Sequence, residues 1–115
     1  MGRPFTQQER EVLERLVELA PQDQRQALRD SLAKAEAGDK CTCGCGSFRI
    51  ENPGRERAQH YPVAEGFVDR GEGQPLMSVM PFAANGTAED LEIYAPEHGL
   101  GDPPIPFPRA EDIQP

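Results

Sequence analysis

The three cysteines of the chain, Cys41, Cys43 and Cys45, fall at alternate positions in the stretch DKCTCGCGSFRI, residues 39–50. Thiols clustered in this way could bind a soft divalent ion, exchange disulfides or supply a nucleophile. Structural zinc sites are most often built from two Cys-x-x-Cys knuckles, and Cys-x-Cys-x-Cys is a less common bite. The sequence contains no second knuckle. Zinc bound by Cys41, Cys43 and Cys45 would therefore take its fourth ligand from His60, His98 or a carboxylate. Neither histidine has a ligand-like spacing: His60 beside Tyr61 and His98 within PEHG fit surface or turn positions. A redox pair would call for Cys-x-x-Cys at a helix N-terminus, and the cations near these thiols are only Lys40 and Arg49. No base is placed to activate a nucleophile. Structural thiols thus rank first, zinc second and thiol redox chemistry last.

The elements around the cysteines decide where they point. SFRIE alternates apolar and polar residues, with Phe48 and Ile50 on one face, and Asn52-Pro53-Gly54 signals a turn after it. If this strand ran backward, Cys41, Cys43 and Cys45 would share the outward face with Ser47 and Arg49. Gly44 and Gly46 would equally let the backbone turn and gather the sulfurs.

Upstream, Thr6-Gln7-Gln8-Glu9 matches a capping box, and Val12, Leu13, Leu16, Val17 and Ala20 recur at helical spacing up to Pro21. A second helical stretch carries Ala27, Leu28, Ser31, Leu32 and Ala35 on a narrow stripe, with Gly38 placed to end it. Helices are expected over about residues 6–38. Downstream, further strands are expected over 61–69, in QPLMSVMPFA and in DLEIYA, completing a strand region of about 46–95. Asn85-Gly86 predicts a hairpin between the last two, with a loop longer than two residues. Leu91 and Ile93 should face inward, Glu92 and Tyr94 outward. Pro81 lacks a ladder donor, which suits a sheet edge or a bulge.

From Pro96 onward lie six of the twelve prolines. The expectation is an extended proline-rich tail over 101–115, with Ile105 and Phe107 packing along the surface of a single domain over 1–100.

Composition narrows the function. Leu, Ile, Val and Phe make up 22 of the 115 residues, so the core is small, and the net charge is -8. Residues 1–58 balance ten Lys/Arg against ten Asp/Glu, whereas residues 59–115 hold only Arg70 and Arg109 against ten acidic residues. Such a half repels phosphate, which argues against nucleic acid and in favour of a basic protein as partner. Glu89, Asp90, Glu92 and Glu97 are expected to form one exposed acidic field. MGRPFTQQERE lacks the apolar centre of a signal peptide, and no run is long enough to span a membrane, so a cytoplasmic location is expected.

The segments CTCGCGSFRI, YPVAEG, LEIYAPEHG and IPFP together resemble a family of small bacterial proteins of unknown function, over roughly residues 40–108. The resemblance implies a helical N-terminus, a Cys-x-Cys-Gly-Cys stretch leading into a strand, a hairpin and a proline-containing close. It brings no catalytic residues. PLMSVMPFA is less rich in Leu and Val than the family's hairpin, so the resemblance leaves the strand register open.

The sequence therefore predicts an α+β fold: an N-terminal helical pair on a small, largely antiparallel sheet of three or four strands, with a proline-rich tail. The expected function is non-enzymatic binding or interaction in the cytoplasm. A zinc-binding protein, an immunity-type protein that neutralises a basic toxin, and a thiol redox enzyme are the alternatives.

Overall fold

The computed structural model describes residues 2–42, 45–54, 56, 58–71, 73–96, 98–99 and 101–115. Helix α1 spans Gln7–Leu19 and begins as its sequence dictates. The Glu9 N–H donates to Thr6 Oγ1 at 3.1 Å, and the Thr6 N–H donates to Glu9 Oε1 at 2.8 Å. Arg3 grips the same carboxylate through two N–H bonds of 2.8 Å each. Burial pushes the Glu9 carboxyl up, but the Arg3 guanidinium and the Thr6 N–H together outweigh it and hold the group below the usual carboxylate range. A depressed carboxylate stabilises the fold above its unfolded-state value and loses that contribution as pH falls through the folded value. Glu9→Gln is accordingly expected to lower stability by about 1–2 kcal/mol at neutral pH. The deficit against wild type should shrink in urea titrations taken progressively below pH 4.5, the ordinary value for this group.

Val12, Leu13, Leu16, Val17 and Ala20 are all buried, as their spacing requires. Helix α2 spans Gln22–Lys34 and buries only Leu28 fully. Ser31 ties it to the sheet, donating to the Leu28 carbonyl at 2.9 Å and accepting from the Ala88 N–H at 3.2 Å.

The helix stops short of Gly38. Glu36–Lys40 is instead strand β1, antiparallel to β2, Phe48–Glu51, with Ala37 opposite Ile50. EAGDK offers little apolar alternation to announce a strand. Ladder bonds to β2 and burial of Ala37 override the helical propensity of the alanine-rich run.

The remaining strands are β3, Tyr61–Pro62; β4, Gly66–Val68; β5, Met77–Ala84; and β6, Thr87–Tyr94. The expected 61–69 strand is thus broken into two pieces that pair with different parts of β5. The sheet has six strands rather than three or four, in the order β1-β2-β6-β5-β3 with β4 also on β5, and each pair is antiparallel. Asn85 and Gly86 alone form the hairpin loop, at φ of 51° and 81°. These left-handed values match the twist of a two-residue turn, so the strands run closer to the tip than expected. Pro81 sits opposite Leu91 while its carbonyl accepts from Val63 at 3.0 Å. Its missing N–H would point to the same side, between β4 and β3.

Both helices pack on the face that bears Phe48, Ile50, Val79, Leu91 and Ile93. The proline-rich segment covers the rest of that face. Phe107 stacks on Phe48 with ring centroids 6.3 Å apart, and Phe48 in turn meets Phe5 at 6.2 Å. Gln8 donates to the Phe107 and Pro108 carbonyls, both at 2.9 Å. Ala110–Asp112 then forms a 3-10 turn, Ile113 enters the core at 1 % exposure, and Gln114 bridges to Phe67. Residues 101–115 are therefore a strap within the domain, and only part of it is extended.

Candidate functional site

The backward extension of β2 ends at Gly46, whose φ of 93° turns the chain out of the strand. Ser47 consequently lies buried instead of facing outward. Its hydroxyl accepts from the Ile93 N–H at 2.7 Å, and Cys45 Sγ lies 3.2 Å from the same oxygen. Cys41 is exposed and its N–H donates to the Ser47 carbonyl at 2.8 Å. Cys43 lies outside the described residues. Among the described residues, no group of three or more His, Cys, Asp and Glu side chains is disposed to hold a metal ion. His98 Nε2 is 3.1 Å from the Pro103 carbonyl, so that ring is engaged within its own loop.

His60 is fastened more firmly. Its Nε2 is 2.7 Å from Asp90 Oδ2, and its Nδ1 is 3.2 Å from Glu89 Oε2 and 3.0 Å from the Ala58 carbonyl. Two consecutive strand residues normally point to opposite faces. Here the pairing shifts from Phe82 with Asp90 to Ala83 with Ala88, which leaves Glu89 as the extra residue of a bulge. The bulge lets both carboxylates reach one imidazole. Both ring nitrogens face oxygen acceptors, so neither is turned toward a substrate as a general base requires. The arrangement is a clamp that fixes residues 58–60 against β6.

The expected acidic field is not assembled. Glu89 is buried at 2 % exposure, where its carboxylate accepts from the Ala58 N–H at 3.1 Å. Asp90 is mostly covered by His60, Glu92 is exposed, and Glu97 lies outside the described residues. The physical reason is pairing with a distant segment: the bulge brings Glu89 and Asp90 together on His60, and Glu89 also accepts from the Ala58 N–H, so neither carboxylate is left in an open field.

What emerges instead is the uncovered face of the sheet. Along β5, the residues between the buried ones are Ser78, Met80 and Phe82, all partly exposed. Across the ladder they meet Tyr94, Glu92 and Asp90, and Asp90 meets Arg49. Tyr94 is 59 % exposed and Leu76, just before β5, is 52 % exposed. Comparison with protein-family models, curated proteins and solved structures finds no match. The surface must therefore be judged by its own chemistry. Sequence reasoning about acidic residues missed it, although PLMSVMPF carries the signal. A strand apolar at both parities needs cover on two faces, and the helical pair supplies only one.

Proposed function

We propose that this chain is a non-enzymatic interaction protein whose open sheet face seats a basic amphipathic helix of a partner protein. One observation carries this reading. Met80 of β5 lies in register with the exposed Glu92 of β6, beside the exposed Tyr94, while the next pair along, Phe82 and Asp90, lies against His60 at the border of the patch. An apolar patch of Met80 and Tyr94 around the Glu92 carboxylate complements a helix with an apolar stripe beside lysine or arginine.

Strand addition by the partner fits less well. Arg3 forms a bridge with Ala37 on β1, and Gln114 forms one with Phe67 on β4, so chain segments already occupy outer ladder positions there. The other edge strand, β3, is only Tyr61–Pro62, with a proline that cannot donate. The partner is better accommodated across the face.

A lysine-rich amphipathic helical peptide, titrated into labelled protein, is expected to perturb amides of β5 and β6. Its affinity should fall as salt is raised past about 0.15 M, where screening shortens to about 8 Å. Replacing Met80 and Tyr94 together by serine should weaken binding about tenfold or more with little change in melting temperature, since both side chains face solvent. Perturbation confined to the acidic outer side of α1, at Glu11, Glu14 and Glu18, would overturn the proposal.

A further inference from the structure

The strap leaves a cleft of about 1130 Å³ between itself and the end of the sheet, walled by Val68, Met77, Ile105 and Phe107. Its polar groups are unusual for this chain. Arg70 and Arg109 are the only Lys or Arg residues in 59–115, against ten carboxylates, and both line this one cleft. Arg109 is already paired, with Glu111 at 3.1 Å and Asp112 at 3.6 Å. Asp102, a second carboxylate on the rim, accepts from the Gly99 N–H at 2.7 Å.

Arg70 differs from these. Its Nη2 makes one long bond, 3.3 Å, to the Pro75 carbonyl. Its Nε is buried and has no hydrogen-bond partner, alone in this respect among the buried side-chain nitrogens and oxygens of the described residues. Buried polar atoms nearly always find a partner, so such a group calls for an explanation. A guanidinium has five donors in a planar fork that matches a carboxylate.

We infer that this cleft binds a small amphipathic carboxylic acid, with the carboxylate on Arg70 and an aromatic or aliphatic body against Met77, Val68 and Phe107. Volume and lining agree with this class. Small-molecule sites are largely apolar concavities with a few polar groups that fix orientation. The site uses none of Met80, Phe82 and Tyr94, so it stands apart from the proposed protein-binding face.

The test compares 4-phenylbutyrate with 4-phenylbutyramide, which share a body and differ in charge. Methyl resonances of Val68 and Met77 report on occupancy, and titrations give the affinities. Wild type should bind the acid about tenfold or more tighter than the amide, as a charge-assisted bond to arginine implies. Arg70→Met should remove that preference, and Arg70→Lys should retain part of it. The wild-type comparison stands alone if either variant fails to fold. Equal affinity for acid and amide, an undiminished acid preference in Arg70→Met, or unmoved Val68 and Met77 methyls at millimolar acid would each overturn the inference.

Discussion

Leu91→Asp is expected to abolish cooperative unfolding, leaving a chain without a thermal transition in calorimetry. Leu91 is fully buried on β6, opposite Phe48 on one side and Pro81 on the other. Placing a carboxylate there removes about 2–3 kcal/mol of apolar burial and adds several kcal/mol for an unpaired charge. A domain of this size has a total stability of only about 5–15 kcal/mol, so the loss approaches the whole. One residue along, Glu92 is exposed, and Glu92→Lys should change stability by less than about 0.5 kcal/mol. Comparable effects of the two substitutions would mean that the faces of β6 are reversed.

Ile113→Ala should cost about 2–5 kcal/mol in denaturant unfolding, the range for a fully buried aliphatic truncation. The residue is the third from the end of the sequence, where a substitution in a loose tail would be silent. Its side chain packs into the space over Gly66, where an added Cβ would collide with Ile113 and come within 3.3 Å of Leu19. Arg15 Nε holds the Ile113 carbonyl at 3.1 Å. Gly66→Ala should therefore be destabilising in wild type and markedly less so in the Ile113→Ala background. A double-mutant cycle that closes with no coupling would place Ile113 away from Gly66 and undo its packing in the core.

What the sequence disclosed was local. The capping box at Thr6 and Glu9, the stripe from Val12 to Ala20 and the inward pair Leu91 and Ile93 are written in neighbouring residues, and the structure has them so. What it hid was made by distant pairings. EAGDK becomes a strand only because Ile50 lies opposite Ala37, and nothing within those five residues requires it. Glu89 was expected in an exposed field although its spacing from Leu91 and Ile93 already put it on their face, and the groups that hold it there, His60 and the Ala58 N–H, come from a distant segment. Ser47 was misplaced because Gly46 turned the backbone. The cysteines drew attention by their clustering at alternate positions, yet Cys41 and Cys45 border β2 without a metal-binding group among the described residues. Arg70 and Arg109 were visible as the lone cations of an acidic half, but their meeting in one cleft depends on the path of the strap.

The bridges of Arg3 to β1 and of Gln114 to β4 also bear on self-association. Unpaired strand edges are templates on which further chains can stack into fibrils, and short coverings of this kind suppress that growth. The covering at β1 is held by the grip of Arg3 on Glu9, which loses its charge in acid. Protonating Glu9 is therefore expected to loosen the guard on this edge, which makes one carboxylate near the N-terminus a determinant of how well the sheet resists stacking in strong acid.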